Sequence, residues 1–227
     1  MNLGDLRGHL RAEVLRDTAL PQLWSDSELT TYLNEAYVAF CRRTHLLVDA
    51  ESDFTTFDTV AGTARYALDP RVLRINRAGI LGTDNYQELD TGTRHQIPVT
   101  HRGGRPVAFT TQTGIDVGTP GAAQILFYPI PDDVYTVVME VARKPLSPLA
   151  AAADEPEIDE DYHLALCDYA AWRALSNNRP EGANMQAARP FREAFDLIVR
   201  DAKRNIALLR AGHHPRAVAN WTGKVRR

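Results

Sequence analysis

Histidines and carboxylates are the side chains with which this chain would most readily do chemistry, and two groups of them stand out. His95 and His101 flank a turn-rich region beside Glu88 and Asp90, a set of residue types able to hold a metal or move a proton in hydrolysis. Five residues separate the two histidines, with no further Cys or His close by, and that spacing matches no defined zinc pattern. Loop histidines facing solvent are the simpler expectation. Glu157, Asp159, Glu160 and Asp161 form a second group, yet they lack the alternating Asp/Asn ligands and turn glycine of a calcium loop, so they read as a solvated helix cap. No GxSxG, Walker lysine loop or GxGxxG occurs, and the glycine-rich stretches Arg102–Arg105 and Thr119–Gly121 do not open a helix. Ser, His and Asp are plentiful without a local signature that selects three of them. The expectation is a protein that is not an enzyme, with no cofactor, no metal and no catalytic residues.

Charge is more informative than motif. The formal net charge of −3 over 227 residues conceals a division, because residues 202–227 carry Lys203, Arg204, Arg210, Arg216, Lys224, Arg226 and Arg227 and no acid. Residues 1–201 therefore sum to −10 against +7 for the C-terminal stretch. An acidic body with a basic tail commonly seeks an anionic partner. Cys41 and Cys167 both fall in helical patterns with no CxxC, as small core residues do. No apolar run approaches the roughly 18–20 residues that span a bilayer, and charges run through the N-terminal segment, so assembly in the cytosol without a membrane is expected.

The elements that must position these groups fall into three stretches. Leu3, Leu6, Leu10 and Val14 recur at helical spacing up to Leu20-Pro21. A second helix is announced by Ser25 and Glu28 as a capping box, with Trp24 and Leu29 placed as a hydrophobic staple. Its stripe of Leu29, Tyr32, Leu33, Ala36, Tyr37, Phe40 and Cys41 needs a partner surface. From about 52 to 145 the period changes to two, predicting strands at Phe54–Phe57, Arg65–Leu68, Val72–Leu81, Tyr86–Leu89, Pro106–Thr111, Ile125–Tyr128 and Val134–Arg143. Short strands with turn signals at this density suggest an antiparallel sandwich or small barrel. A third helix follows the acidic run with Tyr162, Ala165, Leu166, Tyr169 and Trp172, and a fourth carries Phe191, Phe195, Ile198, Ala202, Ile206 and Leu209 to a C′ glycine at Gly212. Pro190 either kinks a helix begun near Gly182 or serves as N1 of a shorter one.

The expected fold is therefore α+β: a four-helix bundle from residues 1–50 and 154–211, an inserted β domain over 51–146, a linker at 147–153 and an arm at 212–227. Packing within the bundle or between subunits falls to Trp24, Leu29, Tyr32, Leu33, Tyr37, Phe40, Tyr169, Trp172 and Phe195. His213-His214 and the tail read either as a solvated charged segment or as an interaction arm, and Trp221 favours the arm because a large aromatic is a common interface anchor. Its partner stays open between an acidic protein surface and nucleic acid.

Three segments carry a resemblance. Leu23-Trp24-Ser25-Asp26-Ser27-Glu28-Leu29 with Tyr32-Leu33-Asn34-Glu35-Ala36 and Arg42-Arg43 resembles the second helix of the head-to-tail adaptor proteins of tailed bacteriophages, particularly the tail-tubular type of short-tailed phages. Phe127-Tyr128-Pro129-Ile130-Pro131-Asp132 leading into Val134–Arg143 and Pro145 is similar to that family's final β-hairpin, and Tyr162–Tyr169 with Trp172-Arg173 to its third helix. The resemblance implies a ring, usually of twelve subunits, beneath the portal protein at the head-tail junction of the virion, with a tail protein attached below and genomic DNA passing through the channel without specific binding. It also implies that a C-terminal arm reaches the portal, here Arg210, His213, His214, Arg216, Trp221, Lys224, Arg226 and Arg227. Two other readings remain open: a DNA-binding or packaging-associated phage protein whose tail contacts phosphates, and a tail-associated hydrolase using Asp90, His95 and His101.

Overall fold

Helix formation begins where the capping chemistry requires it. In the computed structural model, which describes residues 1–82, 85–92, 103–113, 123–176 and 185–213, Asn2 closes a capping box with Asp5 and opens α1 (Leu3–His9). The helix then widens into a π-helical turn, Leu10–Val14. Leu3, Leu6 and Leu10 are fully buried, so the apolar face continues through the change of helix type. The turn into the next helix is organised by Asp17, whose carboxylate accepts the Leu23 and Trp24 amides and pairs with Arg11 at 2.8 Å. Ser25 and Glu28 form the expected reciprocal box, and α2 runs Asp26–Thr44 until His45 takes a left-handed conformation at φ 54°.

The β region builds two sheets. The first has the order β1 (Val48–Asp49), β9 (Thr136–Arg143), β4 (Val72–Leu81), β5 (Tyr86–Glu88), with β2 (Thr56–Asp58) also on β9. The second has the order β3 (Arg65–Ala67), β8 (Ala123–Tyr128), β7 (Ala108–Thr113), β6 (Asp90–Thr91). Alternation along β9 sends Val137, Met139 and Val141 inward, where they meet Phe109, Ile125 and Phe127 of the other sheet in one apolar core. Two sheets are thus present, with no closed barrel among the described residues.

Three expectations need correction. Phe54–Phe57 does not run as a strand: Asp53–Thr55 is a 3₁₀ turn, because the Thr55 amide and hydroxyl both bond the Ser52 carbonyl, and pairing starts only at Thr56. The sheets are not wholly antiparallel, since β6 and β7 pair in parallel. Only Leu89 separates β5 from β6, too little for a hairpin, so the chain steps from one sheet to the other. Finally, Gly212 does not end the last helix, which continues through His213.

After β9 the chain returns to the helices. A 3₁₀ turn at Glu160–Tyr162 leads into α3 (His163–Ser176), and α4 spans Met185–His213 with Pro190 inside it, so Pro190 is not the N1 of a shorter helix. The four helices share a core of residues from both ends of the chain, among them Leu6, Leu33, Phe40, Leu166, Ala170 and Phe195. Phe195 packs edge-on against Phe40 and Tyr169. Cys41 and Cys167 are buried here, and desolvation pushes both thiols up to about 12. They fill space, and the Cys167 thiol donates weakly to the Leu6 carbonyl.

Asp168 on α3 is a half-buried carboxylate whose pKa is raised to about 6, by burial first and despite an opposing contribution from nearby His9. The folded state therefore holds a proton more readily than the unfolded chain, and stability from this group falls as pH rises from about 4 through 6. Asp168→Asn should raise the unfolding free energy at pH 7 by about 1–2 kcal/mol after allowance for solvent screening. In urea titrations that advantage should vanish by pH 4.

Candidate assembly surfaces

A strand whose inward positions are 137, 139 and 141 places residue 143 on the same face, and in β9 that residue is an arginine. The Arg143 side chain is only 10% exposed, a position no cation tolerates without partners. Its Nε donates to Asp49 Oδ2 at 2.6 Å, its second guanidinium nitrogen pairs with Glu157 at 2.7 Å, and the first reaches the Lys144 carbonyl. Asp49 lies in β1, just after the chain leaves α2, and Glu157 just before it enters α3. One guanidinium thereby joins both passages between the helical and β parts.

The partners are themselves fixed. Burial would raise the Asp49 pKa, but hydrogen bonds from the Ser52 amide and hydroxyl, the Glu51 amide and Arg143 outweigh it and hold the carboxyl well below the usual range. Desolvation would favour neutral Arg143, and its two carboxylates reverse that, raising its pKa. Glu157 also accepts the Leu146 amide, while its own amide donates to the Tyr37 hydroxyl of α2. One turn earlier on α2, the Asn34 amide both donates to and accepts from the backbone of Leu149 at 2.9 and 2.8 Å. Glu157 is thus engaged by the buried Arg143 and the Leu146 amide rather than serving as a helix cap, a correction to the sequence expectation. Asp159 does cap, accepting the Asp161 amide.

Two outer faces follow from this frame. Between α2 and α3 a shallow groove is lined by Asn34, Val38, Arg42 and Pro148 and bridged by the Glu35–Arg173 pair at 2.7 Å. Beside it Arg192 lies 4.3 Å over the ring of half-buried Trp172, which stacks edge-on against Tyr169. The second face is the far end of α4. Ala202 is fully buried, and from Lys203 to Leu208 every residue except half-buried Ile206 is exposed.

Of the packing residues named from sequence, Trp24, Leu29, Tyr32, Leu33, Tyr37, Phe40 and Phe195 lie buried in the helical core, and Tyr169 packs partly buried against it. Arg210 and His213 fall within α4, whereas His214, Arg216, Trp221, Lys224, Arg226 and Arg227 lie outside the described residues. So do His95 and His101. Asp90 is in β6, and Glu88 in β5 faces Arg77 at 4.0 Å. Among the described residues no cluster of three or more His, Cys, Asp or Glu is placed to hold a metal. No helix there is long and apolar enough to cross a membrane. The junction residues Arg143, Asp49, Asn34 and Tyr37 were not read as a unit, although the parity of β9 marked Arg143 as inward.

An α+β chain whose two ends build one helical core, whose middle builds two sheets, and whose last helix projects beyond that core fits the adaptor class that the quoted segments resemble. The family model of the SU10 adaptor protein matches residues 1–218. The chain belongs to that family and is a phage adaptor protein, a component of the virion. A search of curated proteins returned no match.

Replacing Arg143 by Met leaves the buried Asp49 side chain and the partly covered Glu157 without their cation. The cost should be about 3–5 kcal/mol in chemical denaturation. Adding Asp49→Asn and Glu157→Gln should recover part of it. The Asp49 contribution is fully present above about pH 4 and is lost as pH falls below it, so acid unfolding should begin at higher pH in Asp49→Asn than in the parent.

Proposed function

We propose that this adaptor forms a ring beneath the portal, extending the DNA channel and presenting the surface to which the tail attaches. The observation that carries the reading is the family match, which runs through the helical and β parts alike to residue 218. Contacts between copies are heterologous and close on themselves, as a ring requires. The role is structural and not catalytic. The C-terminal arm, with Arg210 and His213 at the end of α4 and His214, Arg216, Trp221, Lys224, Arg226 and Arg227 beyond it, reaches the portal. The surplus of acid in residues 1–201 suits a channel wall along which DNA slides instead of adhering.

Truncation after His213 tests the arm. The shortened chain should keep the parental far-ultraviolet spectrum and melting temperature, yet lose attachment to DNA-filled heads at least about tenfold in a sedimentation assay. Undiminished attachment would refute the arm's role. Tight binding of the full chain to free DNA, weakening steeply with salt, would favour the packaging-protein reading instead.

A further inference from the structure

The segment between Pro145 and Trp172 contains Asp154, Glu155, Glu157, Asp159, Glu160, Asp161 and Asp168 and no Lys or Arg. Glu157 is committed to Arg143, and Asp154 accepts the amides of Ala150 and Ala151. Glu155, Asp159, Glu160 and Asp161 are exposed, Asp159 accepting the Asp161 amide and Glu160 lying 3.7 Å from the N-terminal ammonium, with Leu146 at 44% and Leu164 at 49% exposure in the same stretch. An acidic surface bearing exposed leucines is one half of a contact.

The other half is at the end of α4. Lys203, Arg204 and Arg210 follow one another there with no acid after Asp201. Leu197 and Leu208, 53% and 65% exposed, are eleven residues apart, three turns, so they share a stripe that also holds Asp201 and Arg204. Upstream arginines of α4 are paired along the helix, Arg189 with Glu193 and Arg192 with Asp196. Among the described residues neither Lys203 nor Arg204 enters an ion pair. Past the fully buried Ala202, Lys203 to Leu208 carry the helix on for about 9 Å with only Ile206 half-buried. Leu208 is left 65% exposed.

We infer that the projecting end of α4, through Lys203, Arg204 and Leu208, docks on the acidic, leucine-bearing surface around Leu146, Glu160, Asp161 and Leu164 of a second copy of the chain. This inference deepens the ring reading and rests on it. The contact joins two different surfaces, so in the ring each copy gives its α4 end to one neighbour and its acidic face to the other. Two identical surfaces of either kind repel, which disfavours pairing of like with like. The basic residues beyond His213 stay available to the portal.

Charge exchange tests the contact in full-length protein. Variant one carries Lys203→Glu and Arg204→Glu; variant two carries Glu155→Lys, Glu160→Lys and Asp161→Lys. Each is mixed with purified portal from the same phage, and assembled mass is read by mass photometry, with circular dichroism confirming the fold. Wild type should assemble, each variant alone should lose assembly about tenfold or more, and an equal mixture of the two should regain it, because every interface then pairs acid with base. A wild type that assembles while both variants assemble equally well overturns this contact and leaves the ring intact. A wild type that does not assemble overturns the ring reading and this inference with it. A mixture that fails to recover also overturns the contact. Should variant two not fold, Leu164→Cys with Leu208→Cys in one chain reports independently, since Cys41 and Cys167 are buried. Oxidised assemblies should then show ladders of covalently linked subunits, and their absence in assembled material counts against the contact.

Discussion

Everything else in the molecule depends on a buried arginine having two carboxylates. The chain leaves its helical layer after α2 and comes back before α3, and at both passages it must be held, or the sheets would hang from two flexible strands. Arg143 takes an inward position at the end of β9 where only a fully compensated cation is stable. Asp49 on the outgoing passage and Glu157 on the returning one supply that compensation within 2.6 and 2.7 Å. Tyr37 and Asn34 extend the tie to α2 through backbone groups of the returning segment. The result couples two apolar cores through one polar network.

That coupling gives meaning to the distribution of charge. The surplus of acid belongs to residues 1–201 and the surplus of base to residues 202–227, of which Lys203, Arg204 and Arg210 fall in α4. Such a division along one chain favours contacts with other chains. In the proposed assembly, ring closure and portal attachment draw on different parts of the same basic stretch, the helical end for the neighbour and the segment beyond it for the portal.

Much of this was legible from residues. The Ser25–Glu28 box and the Leu29–Cys41 stripe gave α2 nearly to its ends, because capping and periodicity are local signals. The period-two run of β9 gave its buried face, and the bounds of β4 matched the expected Val72–Leu81. What escaped was non-local. The two-residue strand β1 has no pattern of its own and exists because β9 offers it an edge. The parallel pairing of β6 depends on where Leu89 sends the chain. The Asp49–Arg143–Glu157 network joins residues 94 and 14 positions apart in the sequence, so no spacing rule finds it. Parity alone, which put Arg143 among Val137, Met139 and Val141, pointed to it. The acidic run before α3 was read as a helix cap, and one of its members turned out to serve the junction.

The central claim is that this frame closes into a ring when it meets the portal. Native mass spectrometry of the full-length chain mixed with its portal measures this directly. The account predicts one complex with a single, fixed number of adaptor copies per portal, formed without intermediate stoichiometries at saturation. A broad series of copy numbers, or adaptor that stays monomeric beside intact portal, would contradict it.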